Sequence, residues 1–219
     1  MKTRELTSLI SVFPILAFGA VPMESAALAQ LQYVSPSRTV FAQQGTKTVT
    51  DSSSVGGFWD GSVFASVSGS SNRSSSILRG SLDASAIDLR FDVNSDSGGS
   101  ARSRLFTTIR LAEATLVSFN CSYQNFVTLN ITEFNFSLSG SSYSYAFTGD
   151  PLAEFNDFSQ SNVLLGPGDY ALELDVRTIG FNGLTGDFAL TAIPVPAPGA
   201  AGVALVGAAA LAGRRRRES

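Results

Sequence analysis

The sequence predicts an all-β protein, an antiparallel β-sandwich or jelly-roll-like ectodomain. Three observations predict it. Apolar and polar residues alternate with a period of two in stretch after stretch of residues 58–193. Ser, Gly, Asn and Asp collect between those stretches, where the chain has to turn. No amphipathic helical pattern occurs outside the two termini. One sheet face could not bury so many apolar side chains, so two sheets must face each other.

Taken in order, residues 30–57 are the least regular part. Arg38 to Ala42 and Thr46 to Thr50 fit short strands, and the segment as a whole fits either added strands or a linker. Trp59 follows in Gly56-Gly57-Phe58-Trp59-Asp60-Gly61, which reads as a glycine-rich turn. Val63, Ala65 and Val67 then share a face, as do Ile87, Leu89, Phe91 and Val93, with Asp88, Arg90 and Asp92 opposite them. Asn94 to Ser100 reads as a turn. The next inward sets are Leu105, Thr107, Ile109 and Leu111; Val117, Phe119, Cys121 and Tyr123; and Val127, Leu129 and Ile131. Phe134, Phe136 and Leu138 follow, then Tyr143, Tyr145 and Phe147. Leu172, Leu174 and Val176 alternate with Glu173, Asp175 and Arg177, and Phe188 and Leu190 end the series. Gly166-Pro167-Gly168 before Tyr170 predicts a tight turn. The stretch Leu164 to Leu172 resembles the Leu-x-Pro-Gly-x-Tyr hairpin of many exported bacterial β-sandwiches. That resemblance implies a hairpin with a tyrosine at the sandwich edge.

Composition excludes several functions. Six of the 15 basic residues lie in the termini (Lys2, Arg4 and Arg214 to Arg217), leaving 9. Three of the 18 acidic residues do (Glu5, Glu24 and Glu218), leaving 15, so the body carries −6. A nucleic-acid partner needs a basic face, and none is predicted. Histidine is absent, which excludes a Ser-His-Asp triad, a Cys-His dyad and a histidine-bearing zinc site. Cys121 is the sole cysteine, so no intramolecular disulfide can form.

The two ends carry signals for handling. Lys2 and Arg4 precede an apolar run from Leu9 to Val21, and Ala27-Leu28-Ala29 supplies a small-residue cleavage site. This predicts a secretory signal peptide over 1–29, cut by signal peptidase beside Ala27 and Ala29. At the other end, Pro194 to Pro198 cannot continue a helix and reads as an extended spacer. Gly199 to Gly213 is apolar and uncharged. As a helix it is about 22 Å long, short of a hydrocarbon core of about 30 Å. Arg214, Arg215, Arg216 and Arg217 then hold the C-terminus on the cytoplasmic side.

Residues 194–219 resemble the PEP-CTERM sorting signal of exported bacterial proteins. Its name-giving Pro-Glu-Pro is matched by Pro196-Ala197-Pro198, so Val195, Pro196, Ala197, Pro198 and Gly199 form a variant lacking the acidic residue. The resemblance implies cleavage by an exosortase-type membrane protease. The chain would be an inner-membrane intermediate, then a cell-surface or extracellular protein, often alongside extracellular polysaccharide and biofilm matrix. A Gly-Gly signal read by a rhomboid-like protease shares the short span and arginines but opens on paired glycines, which are absent here. A plain tail anchor is the simpler alternative.

The expected organisation is thus a signal peptide (1–29), a segment of strands or linker (30–57), a β-sandwich (58–193) and a sorting signal (194–219). The body is expected to be non-enzymatic and to hold no cofactor. Trp59, Tyr143 and Tyr145 are the candidates for stacking on sugar rings, and a carbohydrate-binding module is the alternative function. Asp92, Asn94 and Asp96 place oxygen ligands at alternate positions, as a calcium loop does. The glycine comes one place late and Ser103 stands where the bidentate Glu belongs, so a polar hairpin turn is preferred. A hydrolase would need Asp88 with Asp92, or Glu173 with Asp175, as a carboxylate pair in a cleft.

Overall fold

The computed structural model describes residues 31–69, 71–126 and 132–195. Ala27, Ala29, Val127, Leu129, Ile131, Pro196 to Gly199 and Arg214 to Arg217 lie outside the described residues. Twelve strands are formed among the described residues, and no helix. They are β1 (Gln32–Gln44), β2 (Lys47–Ser53), β3 (Gly57–Ser66), β4 (Arg73–Leu82), β5 (Ala86–Ser95) and β6 (Gly99–Leu111). The chain continues through β7 (Thr115–Asn125), β8 (Thr132–Gly140), β9 (Ser144–Thr148), β10 (Phe155–Leu165), β11 (Gly168–Ile179) and β12 (Asn182–Pro194).

Two six-stranded antiparallel sheets result. Sheet A has the order β2-β1-β6-β11-β8-β9, and sheet B has β10-β7-β12-β5-β4-β3. The odd-to-even connections lie at one pole, and the even-to-odd connections, with Leu31 and Val195, lie at the other. The second pole is called proximal below and the first distal. The alternation read from sequence sets the inner faces: Ile87, Leu89, Phe91 and Val93 are buried, as are Leu105, Thr107, Ile109 and Leu111. Burying such a face removes apolar area from water on both sheets at once.

The interior is graded from side to side. Between β7, β8, β9, β10 and β12 it is aromatic: Phe136 stacks on Phe158 at 5.0 Å and meets Phe188 at 5.2 Å, and Tyr123 stacks on Phe134 at 4.3 Å. At the distal ends of β1, β4 and β6 it is narrow and polar, while Val40, Leu78, Leu105 and Ile109 keep the rest of these strands apolar. Ser74 Oγ donates to Gln44 Oε1 at 2.9 Å, and the Ser76 and Ser103 hydroxyls meet at 2.8 Å. The sheets approach so closely there that a Cβ on Gly99 would lie 2.2 Å from Ser74 Oγ. Small inward residues therefore replace large apolar ones, and hydrogen bonds satisfy them.

Four expectations are corrected. Trp59 is in strand β3, paired opposite Gly80 of β4, not in a turn. Pairing with β4 overrides the local glycines, of which Gly61 makes room for the ring. The turn after β5 is shorter than residues 94–100, because Asn94 and Ser95 still pair with β12. Gly166 and Pro167 do not close a hairpin: β10 belongs to sheet B and β11 to sheet A. The two-residue link instead carries the chain across the sandwich. Tyr170 is consequently fully buried, not at an edge, and its hydroxyl donates to the Gly166 carbonyl at 3.0 Å and pairs with Ser142 Oγ at 2.7 Å. This is a tyrosine corner: a buried ring whose hydroxyl ties down the chain a few residues upstream.

Candidate functional site

The sequence-derived aromatic candidates do not converge. Trp59 points inward on β3, in phase with Gly61 and Val63, and its ring lies over Gly61, whose added Cβ would fall 2.2 Å from the indole. The guanidinium of Arg38 lies 5.4 Å from the centre of that ring. Trp59 thus closes the lateral seam between β1 and β3. Tyr143 and Tyr145 lie at the opposite lateral edge, at and after the β8–β9 turn. Tyr145 packs against Phe119 at 5.2 Å, and both tyrosines are only partly exposed against the core.

Arg38, expected only as the start of a short strand, is fully buried. Its Nη1 donates to the Gly57 carbonyl at 2.8 Å and one Nη2 proton goes to the Val55 carbonyl at 2.6 Å. The charge is thus held by carbonyl dipoles and the Trp59 ring, and it fastens the β2–β3 connection over the end of the core. Burial lowers its pKa from the usual guanidinium range.

The calcium-loop residues are occupied separately. Asn94 Nδ2 donates to Asp92 Oδ1 on the outer face of β5, whereas Asp96 Oδ2 accepts from the Arg73 amide at 2.7 Å across the turn. No group of three or more His, Cys, Asp or Glu side chains suited to a metal occurs among the described residues. Desolvation beside Ile77, its register neighbour on β4, raises the Asp92 pKa against the opposing pull of Asn94 and Arg90. Cys121 is buried, and burial pushes its thiol up, away from the reactive thiolate.

Glu173 and Asp175, the second carboxylate pair, are bound to arginines of β6. Arg102 Nε donates to Asp175 at 2.6 Å, Arg104 Nη2 to Glu173 at 2.6 Å and, further along, Arg110 Nε to Asp169 at 2.7 Å. This ladder spans the outer face of sheet A. Beside it lies a groove of about 390 Å³, walled by Thr39, Phe41 and Gln43 of β1, Thr50 of β2, and Arg102, Arg104 and Arg177. Arg177 meets Glu133 only at 3.6 Å. A half-buried phenylalanine beside hydroxyl, amide and guanidinium donors can seat a polar ring with an apolar face. Sequence reading missed this groove. Its one signal was the run of arginines at alternate positions 102 and 104, whose partners are set by strand register.

Of the residues expected to form a sorting motif, only Val195 is described. Its amide donates to the Ala114 carbonyl at 2.9 Å, so β-type bonding runs one residue past the end of β12. At the other end Leu31 N donates to Ala84 O at 2.5 Å, and Ala192 N donates to Ser85 O at 3.0 Å. The β4–β5 turn therefore fixes both ends of the fold at the proximal pole. No protein-family model matches the chain, and no curated protein matches it.

Proposed function

We propose that the chain is a non-catalytic exported protein of the cell envelope. Its sandwich is carried on the outer side of the inner membrane by a short C-terminal transmembrane helix. It is then sorted by an exosortase-type protease acting at Val195 to Gly199, after signal peptidase has removed 1–29. The observation that carries this reading is the attachment of both ends of the described sandwich, Leu31 and Ala192, to one turn at the proximal pole. A body so built leaves the membrane segment and the motif on one side and the rest of its surface free. The test is to replace Pro196 and Pro198 by Ala in the native host. The parent chain should be found shortened and outside the inner membrane, and the variant at full length within it. Identical mass and fractionation of the two would overturn the proposal.

Carbohydrate binding is the second reading, and the sheet A groove favours it over the dispersed Trp59, Tyr143 and Tyr145. Phe41→Ala should abolish retention on extracellular polysaccharide, while Trp59→Ala should leave retention of the remaining folded protein intact. Retention unaffected by Phe41→Ala would remove the groove from consideration.

A further inference from the structure

On the outer face of sheet B, three neighbouring strands bring apolar side chains into one row. Leu164 of β10 pairs with Leu116 of β7, and Leu116 pairs with Ile193 of β12. Partners in register share a face, so the three side chains lie side by side. Leu164 is 61% exposed and Ile193 60%. The next outward pair of β7 and β12, Ser118 and Thr191, is uncharged. The row sits at the proximal pole, two residues from Val195, and the β2–β3 connection brings exposed Val55 to the same pole.

The chain length beyond this row says what covers it. Val195 is still hydrogen-bonded to Ala114, and the apolar run begins at Gly199. Four residue steps reach at most about 14 Å, even fully extended. A body tethered to an inserted Gly199–Gly213 segment is therefore held at the headgroup layer, with no slack to move away. The run is itself short for a hydrocarbon core, which pulls the body closer still.

We infer that the Leu164–Leu116–Ile193 row is a membrane-contact surface, seated in the interfacial layer of the bilayer that holds the C-terminal segment. The inference rests on the membrane-anchored reading above. With no basic residue in the row and Glu113 exposed in the adjoining β6–β7 turn, the contact works through apolar area and not through attraction to anionic headgroups.

The test uses the full chain reconstituted into phosphatidylcholine vesicles carrying a nitroxide at the headgroup end of the acyl chain. A polarity-sensitive fluorophore is placed on Leu164→Cys, Ile193→Cys or, as control, Phe155→Cys. Buried Cys121 stays unlabelled in the folded chain. Phe155 is 66% exposed but lies at the distal pole, so it matches the row in exposure and differs only in place. The expected result is a blue shift and loss of emission at positions 164 and 193, unchanged by added salt, with neither at 155. Vesicle-inserted protein whose labels at 164 and 193 stay water-exposed would overturn the contact surface while leaving the anchor standing. A chain that does not enter vesicles would overturn both. Shielding that rises with protein density, without nitroxide quenching, would assign the row to a second copy and overturn the membrane contact.

Discussion

Arg38 is a cation taken fully out of water with no carboxylate paired to it among the described residues. Its Nε has no hydrogen-bond partner, so its stabilisation comes from two strong carbonyl contacts, a long bond from Nη2 to Ser53 Oγ at 3.5 Å and the Trp59 ring. Truncation would strand the Gly57 and Val55 carbonyls over the core. Arg38→Ala is expected to lower unfolding free energy by about 3 kcal/mol in denaturant titration. Arg38→Lys should not restore it, since an ammonium lacks the planar fork that reaches both carbonyls. Tyr170→Phe keeps the buried ring and loses only the hydroxyl contacts to Gly166 and Ser142, and is expected to cost about 1 kcal/mol. Asp92 gives a pH signature. Its folded-state pKa is raised above the unfolded one, so the folded chain holds the proton more tightly. Its contribution to stability therefore falls as pH rises from the ordinary carboxylate range through that raised value. Asp92→Asn should raise Tm at pH 7 and change it little at pH 3; an equal rise at both would remove desolvation as the cause.

Strands with large alternating side chains were legible in the sequence, and those with small ones were not. Along the middle of β5, β6, β7 and β11 the inward positions are apolar or a lone Thr or Cys, and the pattern names the face directly; Ser95, Ser103 and Asn125 interrupt it only toward the distal ends. β4 escaped notice because Ser74 and Ser76 occupy inward positions where the sheets nearly touch. β10 escaped because it is an edge strand with a register shift between Gln160 and Val163 and with Asn162 at positive φ. The link at Gly166-Pro167 read as a hairpin because loop length is local, whereas the choice of sheet is decided by the far side of the core. Gly80 shows the same limit. Its φ is +147°, and an added Cβ would lie 1.9 Å from the Asp88 carbonyl oxygen, a clash with backbone that side-chain motion cannot relieve. Gly80→Ala should destabilise by about 3 kcal/mol or prevent β4 from pairing with β5, read as loss of the cooperative melt.

At the scale of the whole molecule, one turn, Asp83 to Ala86, organises the proximal pole. It receives hydrogen bonds from Leu31, Tyr33 and Ala192, so both ends of the sandwich are bound to it. The ionised surface is similarly ordered: Arg102 and Arg104 of β6 are paired with β11 carboxylates, and in the groove beside Phe41 the further polar groups are those of Thr39, Gln43, Thr50 and Arg177. The candidate site was legible only in part. The expectation of a motif beginning at Val195 rests on residue order alone, whereas the groove depends on β1, β2 and β6 lying side by side, which no local pattern states. The central claim is that this fold is a body delivered by its ends. It is tested most directly by the intact mass of the protein recovered from its own host, with the cell fraction recorded. The account predicts a chain beginning near Gln30, ending between Pro196 and Gly199, and found outside the inner membrane. A chain still carrying Arg214 to Arg217 in the inner membrane would contradict it and leave the tail a simple anchor.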